Sequence, residues 1–406
     1  MPKKAAPKKS KKKSASKMSE LRSRMTAMLG EDQAVNMDSA SLLQSIPHIS
    51  TGSVALDYLI GGRENAMGVR PCPGVPRGRL TMIYGNPGAG KTTIALQTCA
   101  SICADGGRAI YVDWENEVEP RYASVLGVPV SDEDKFLLIQ PNTLEDGLKW
   151  MVYAAQDGVD LIVIDSIGAA VPKQMFEKQE GDAVPIGLNA RKWSEYLPKL
   201  KNIVSSCNTA VIGISQLRAA IGGFGPVAPK PQGGKAWTYY NSLQIMLRVI
   251  GTEKGKVWDA MQGKLVDTVV GNRVRAKLDK CKVSDSLKHE VEFYLISGNG
   301  VDNTRTVIEL GISTGVISKK GAWFSWHGPN GEIRGQGLNN FTKQLSDEDI
   351  GTIFGQTKPY LVDPNAKSSE EPPAAAVDDD DEDFVPVEED NEDAQGAIDS
   401  LLADLD

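Results

Sequence analysis

The chain has 406 residues, a formal net charge of −8, 41% hydrophobic and 24% charged residues. At roughly 150 residues per domain that length accommodates two or three units, and the ordinary composition excludes wholesale disorder. No apolar run nears the ~20 residues needed to span a bilayer, and the Lys-rich start lacks the apolar core of a signal peptide. A soluble, cytoplasmic protein with no membrane partner is the expectation. Cys72, Cys99, Cys103, Cys207 and Cys281 form no CxxC pair, and His48, His289 and His327 are scattered. Neither a disulfide framework nor a structural zinc site is expected.

Charge is segregated to the ends. Residues 1–17 carry eight lysines and no acid, whereas residues 368–406 carry sixteen acids and no Lys or Arg. The first segment reads as a disordered basic tail, either merely solvated or a nonspecific phosphate-binding arm. The second belongs to a Pro-, Ala- and acid-rich tail expected over 356–406. A polyanion there can compete with phosphates for a basic groove or act as a solubility element.

After the basic tail, Leu21, Met25, Met28 and Leu29 recur at helical spacing and predict a short amphipathic helix over 18–30. Its apolar stripe needs a partner, either the body of the chain or a neighbouring subunit. A polar linker follows, to about residue 46. The texture then changes. LTMIYG (80–85), AIYVDWE (109–115), FLLIQP (136–141), LIVIDS (161–166) and AVIGISQ (210–216) read as buried strands. Segments 92–105 and 144–156 between them read as helices. Continuous apolar strands alternating with helices predict an α/β fold with a mostly parallel sheet flanked by helices. RVRAKLDK (273–280) and EVEFYLIS (290–297) alternate and predict antiparallel additions to that sheet. Residues 301–355, rich in turn signals and with a short helix near 306–310, predict a small α+β C-terminal lobe.

Gly85-Asn86-Pro87-Gly88-Ala89-Gly90-Lys91-Thr92 fits the G-x-x-x-x-G-K-[S/T] pattern between a predicted strand and a predicted helix. Its glycines let successive N–H groups turn inward as an anion nest, and the helix N-terminus adds partial positive charge. Lys91 can reach the β/γ-phosphates, and Thr92 can offer its hydroxyl to Mg²⁺. Asp165, delivered by four apolar strand residues to the carboxyl edge of the sheet, can support the same ion. Glu115 can polarise an attacking water, with Asp113 and Glu117 as competitors in the same segment. Tyr122 can stack on a base or simply pack at the surface. Gln216 ends the 210–216 strand, where an amide can sense the terminal phosphate. The long Gly/Pro-rich stretch that follows suits a phosphodiester backbone.

Taken in order, these segments resemble the RecA family of strand-exchange recombinases, including its phage members. The resemblance runs from about 18 to 345. It is carried by ISTGSVALD (49–57), the phosphate loop, YVDWENEVEPRYASVLGV (111–128), VIDSIGAAVPK (163–173), EGDAVPIGLNAR (180–191), ISQLR (214–218), GGKA (233–236), GAWFSWHG (321–328) and GEIRGQG (331–337). It implies a RecA-type P-loop ATPase core over 47–300, an oligomerisation helix and linker over 18–46, and the small lobe over 301–355. It implies ATP and Mg²⁺ as cofactors, with Thr93 joining residues 85–92 and Tyr122 in the nucleotide site. Glu115 matches the catalytic glutamate, and Gln216 the glutamine that couples ATP to DNA. Lys280 and Lys282 match a pair that reaches the neighbouring subunit's ATP.

Residues 177–187 and 217–232 match the two DNA-binding loops. Ile186 lies near the base-inserting position. Arg191, Arg218, Gly233 and Gly234 match phosphate-contacting positions, and Ser194, Ile221, Phe224 and Lys235 complete the implied DNA set. The implied activity is DNA-stimulated ATP hydrolysis that drives homologous pairing and strand exchange by a helical filament on single-stranded DNA. Homologous duplex DNA is the second partner, and a single-strand-binding protein a further candidate. Departures from the family pattern are Pro198 and Ala220 in place of basic residues, Lys235 where Asn is usual, the extra stretch 62–74, and the basic tail. A ring-forming helicase-type ATPase is the first alternative, but those proteins lack the lobe with GAWFSWHG. A nonenzymatic mediator paralogue is the second, and it would be expected to lose Glu115 or Lys91.

Overall fold

The computed structural model describes residues 17–30, 44–65, 67–176, 187–218, 229–259 and 261–363. Ile186, Ile221 and Phe224, with most of both expected DNA loops, lie outside the described residues.

The strands, in chain order, are β1 (His48–Ile49), β2 (Val75–Pro76), β3 (Leu80–Gly85), β4 (Ala109–Asp113), β5 (Phe136–Ile139), β6 (Leu161–Asp165), β7 (Ala210–Arg218), β8 (Lys230–Pro231), β9 (Leu243–Asp259), β10 (Lys264–Cys281), β11 (Glu290–Ile296), β12 (Gly300–Asp302), β13 (Ser318–Lys320), β14 (Trp323–Gly328) and β15 (Gly331–Gln336). The main sheet runs β12-β11-β10-β9-β3-β7-β6-β4-β5. From β9 to β5 neighbours are parallel. From β9 to β12 they are antiparallel, as the alternating pattern of 273–280 and 290–297 predicts. β8 turns back on the end of β7.

Every residue of β3, β4 and β6 is buried, because helices cover both faces. The period of two divides these strands between two cores. Ile83, Tyr111, Val163 and Ile212 face the helices Lys91–Ala104 and Val54–Gly61, meeting Ile94, Cys99, Leu56 and Leu59. Met82, Ile110, Val112 and Ile164 face the helices Leu144–Gln156 and Leu188–Cys207, meeting Met151, Trp193 and Leu197. Each such aliphatic side chain stabilises the fold by about 1.5–3 kcal/mol on full burial. Trp193 is fully buried, edge-on to both Trp114 and Trp237, and donates Nε1–H to the Ile167 carbonyl at 3.1 Å. Pro198 sits inside the helix Leu188–Cys207. A proline there costs about 3 kcal/mol, which the buried row Trp193, Leu197, Leu200 and Val204 outweighs.

The helix Asn303–Ser313, longer than its sequence signal, packs Val307 and Ile308 with Phe324, Trp326, Phe341 and Ile353 in a third cluster beside the antiparallel sheet β13-β14-β15. The acidic tail does not begin at residue 356. The helix Asp347–Thr357 and a 3₁₀ turn at Lys358–Leu361 carry Leu361 and Val362 into the first core. Burial of that Leu-Val pair ties down a segment whose composition alone reads as tail. At the other end, the helix Lys17–Leu29 buries none of its residues, and Leu21, Met25, Met28 and Leu29 are all exposed.

Candidate active site

The parallel strands end together at one edge of the sheet, where open α/β sheets bind ligands. β3 delivers the loop 85–90 there, with Gly85 in register with Gln216 of β7 and Leu247 of β9. A Cβ on Gly85 would stand 2.1 Å from the Leu247 carbonyl oxygen, so only glycine lets the central strands approach this closely. Gly88 and Gly90 have φ of +74° and +85°, the left-handed region that turns backbone amides into a nest. Lys91 opens the helix and is buried, its Nζ donating to the Asn86 carbonyl at 2.9 Å. Burial lowers its pKa, and the nearby Asp165 and Glu115 carboxylates oppose that shift.

Thr92 donates Oγ1–H to Asp165 Oδ2 at 3.0 Å, and Tyr111 donates to the same oxygen at 2.6 Å. Burial pushes the Asp165 carboxyl up to about 6; the two hydrogen bonds oppose the shift, while Glu115 and Asp113 reinforce it. A buried carboxylate beside a hydroxyl, next to an anion nest, is a donor set that fits Mg²⁺. This ion is held by one or two protein oxygens plus substrate phosphates. Among the described residues no group of three or more His, Cys, Asp and Glu gathers as a metal cage.

Glu115 lies just past the end of β4. Its carboxylate accepts from Ser166 Oγ and from Gln216 Nε2, the latter at 3.1 and 3.4 Å to its two oxygens. The competitor Asp113 is buried and committed elsewhere, accepting backbone N–H bonds from Glu115, Asn116 and Val118. That turn is why β4 stops at Asp113 and why Glu115 points into the site. Glu117 is exposed. Tyr122 follows a helix start capped by Glu119, and its hydroxyl meets Thr93 Oγ1 at 2.8 Å, fixing the ring against the phosphate-loop helix.

Lys280 and Lys282 are not brought to the phosphate loop of their own chain. Lys280 pairs with Gln244, which lies beside Met82 near the start of β3, whereas the loop follows the end of that strand. Its Nζ donates to the carbonyls of Thr238 and Tyr239 at 2.7 and 3.0 Å, and burial and Lys282 lower its pKa.

The expected DNA positions that are described fall in two groups. Arg191 and Ser194 are exposed near the start of the helix Leu188–Cys207, and Gly234 packs so closely on Ala190 that a Cβ would lie 2.8 Å from it. Lys235, exposed, opens the next helix. Gly233 has φ +89° and is wedged against Ile167 and Trp237. Arg218, exposed at the end of β7, pairs with Lys230 of β8. Gln216 lies two residues before Arg218 on the same strand, so one short segment joins the Glu115 carboxylate to this basic edge. Sequence reasoning missed Ser166 and Tyr111. The first follows Asp165 directly, and the second occupies an inward position of β4, where a hydroxyl needs a buried partner.

A phosphate nest at a strand–helix junction, with carboxylates and an amide on neighbouring parallel strands, defines a P-loop nucleotide-hydrolysing protein. The model of the RecA N-terminal domain matches residues 17–302. Protein RecA of Rhizobium leguminosarum bv. viciae is 36% identical over 326 residues, covering 80% of this chain and 85% of the relative. Protein RecA of Thioalkalivibrio sulfidiphilus is 36% identical over 346 residues, 84% of this chain and 92% of the relative. That of Laribacter hongkongensis is 35% identical over 326 residues, 80% and 84% respectively. The chain therefore belongs to the RecA family, the ATP-binding, DNA-dependent ATPases of homologous recombination.

Proposed function

We propose that this chain pairs homologous DNA as a filament on single-stranded DNA, with hydrolysis of bound ATP controlling its grip. The observation that carries the reading is the Gln216–Glu115 hydrogen bond. It ties the residue best placed to activate water to the strand that ends at Arg218. Lys91 and the nest 85–90 bind the phosphates. Thr92 and Asp165 hold Mg²⁺, which when bound supplies charge neutralisation on the phosphates. Glu115, oriented by Ser166, takes the proton of the attacking water. Tyr122, steadied by Thr93, stacks on the base. Gln216 senses the terminal phosphate and repositions the segment after Arg218.

Arg191, Ser194, Arg218, Gly233, Gly234 and Lys235 hold the DNA backbone, and Ile186, Ile221 and Phe224 are assigned to the same surface from the sequence alone. Such contacts are blind to sequence, so homology is read by base pairing. Lys280 and Lys282, remote from their own phosphate loop, act on the ATP of an adjacent protomer. The exposed stripe Leu21, Met25, Met28 and Leu29 packs on that neighbour. In this reading residues 18–46 assemble the filament, 47–300 form the ATPase core and 301–355 an accessory lobe. The site of action is the cytoplasm, and a single-strand-binding protein is a natural companion. Electron microscopy with a nonhydrolysable ATP analogue and single-stranded DNA tests the assembly. Helical filaments are expected, and closed rings would overturn it in favour of a helicase-type ATPase.

A further inference from the structure

Three tryptophans stand in an edge-to-face row beneath the site, and the proposed chemistry uses none of them. Trp114 immediately precedes Glu115, Trp193 lies in the second turn of the helix Leu188–Cys207, and Trp237 lies in the helix Lys235–Tyr240. Trp193 is the middle member, its ring centroid 6.3 Å from that of Trp114 and 5.3 Å from that of Trp237. All three are buried. The outer two are wedged against backbone: a Cβ on Gly147 would stand 2.2 Å from the Trp114 ring, and a Cβ on Gly213 2.7 Å from the Trp237 ring. Interiors packed this densely transmit a displacement rather than absorb it.

The three rings differ in one polar respect. The Nε1–H groups of Trp114 and Trp237 have no hydrogen-bond partner among the described residues, whereas Trp193 donates to the Ile167 carbonyl at 3.1 Å. Asn189, one turn earlier on the same helix, reaches that carbonyl at 3.5 Å and also bonds the Ala170 carbonyl. Ile167 follows Ser166, whose hydroxyl donates to Glu115. The Ile167 N–H is fixed in turn on the Ile214 carbonyl of β7 at 2.9 Å. On the outer side of the helix, Arg191 and Ser194 flank Trp193 and are exposed. The Glu115 carboxylate is therefore held from two directions. One is Gln216, on the strand that ends at Arg218. The other is Ser166, tied through Ile167 and Trp193 to the helix that carries Arg191.

We propose that Trp193 is a positioning residue for Glu115. Its Nε1–H bond makes the Ser166–Glu115 contact follow the helix that meets DNA, so accelerated hydrolysis requires both DNA-contacting segments to be engaged. Trp193 is fully buried and acts only through Ile167 and Ser166. It and Gln216 are two arms of one clamp. Loss of either leaves the carboxylate held on one side, and only basal hydrolysis remains. This rests on the proposed roles of Glu115, Arg191 and Ser194.

The test is ATP hydrolysis titrated with single-stranded DNA, below the Tm of every variant, in the full chain and in Trp114→Phe, Trp193→Phe, Trp193→Met and Trp237→Phe. The three phenylalanine variants lose the same ring volume, but only Trp193→Phe loses a paired donor; Trp193→Met loses that donor with a different, adaptable filler. Both Trp193 variants are expected to lower the DNA-stimulated rise in kcat by about 5- to 150-fold, the range of coupling between two sites. Their basal rate, KM for ATP and affinity for single-stranded DNA stay as in wild type. Trp114→Phe and Trp237→Phe keep the stimulation, whatever they cost in Tm. Trp193→Phe added to Gln216→Ala brings no further loss, as expected of residues that act as one unit. Wild-type stimulation in both Trp193 variants would overturn the inference, and so would an equal loss in all three phenylalanine variants, which would reduce the row to packing. Full DNA-stimulated turnover in Glu115→Gln would instead overturn the site reading on which it stands.

Discussion

Glu115→Gln isolates the proposed water-activating step from nucleotide binding. The substitution keeps the shape of the side chain and removes its charge and basicity. In the structure the carboxylate accepts from both Ser166 and Gln216. A glutamine retains one accepting oxygen, and its new amide can face the Ser166 hydroxyl, which is able to turn and accept. Exchanging hydrogen bonds to a charged group for neutral ones costs about 1 kcal/mol, enough to move Tm by only about 2–4 °C in a domain of this size. The chemical step suffers far more. Removing a positioned general base typically lowers kcat by 10²–10⁴-fold, or roughly 2.7–5.5 kcal/mol at the transition state. The assay is steady-state phosphate release with and without single-stranded DNA, beside equilibrium binding of ATP. The variant should bind ATP within about threefold of wild type, because the phosphate nest and Lys91 are untouched, yet hydrolyse it at least ~100-fold more slowly. A kcat within threefold of wild type, with binding intact, would refute the assignment and pass the role to another group.

Lys91→Ala should weaken ATP binding by roughly 10- to 150-fold, the worth of a charge-assisted contact, and eliminate DNA-stimulated turnover; normal turnover would remove the loop from the mechanism. Leu21→Asp combined with Met25→Asp should leave the thermal unfolding curve in place, since neither residue is buried, while analytical ultracentrifugation shows loss of self-association. Unimpaired assembly would mean the helix has another partner. Single alanine substitutions at Arg191, Arg218 and Lys235 should each reduce the salt dependence of single-stranded DNA binding by about 0.7 in slope, the contribution of one phosphate contact. A slope that does not move for a given residue takes that residue off the DNA surface.

Much of this architecture was legible because burial on both faces leaves little choice of sequence. The runs expected at 80–85, 109–115, 136–141, 161–166 and 210–216 hold the strands Leu80–Gly85, Ala109–Asp113, Phe136–Ile139, Leu161–Asp165 and Ala210–Arg218, and the phosphate loop falls at the junction its glycines demand. Ends were less legible where side chains redirect the backbone. AIYVDWE reads as a strand to Glu115, but Asp113 gathers three backbone N–H groups and closes the strand two residues earlier. The helix through Pro198 contradicts local propensity and exists because its tryptophan and leucines are anchored in the core. The long pairing of β9 with β10 depends on register between distant segments, which composition does not report.

ATP hydrolysis titrated with single-stranded DNA tests the account most directly, because it asks whether the Glu115–Gln216 contact links the two halves of the site. The rate should climb with added DNA and saturate, and Gln216→Ala should flatten the curve while basal hydrolysis persists. A wild-type rate indifferent to DNA across the titration, under conditions where DNA is shown to be bound, would contradict it.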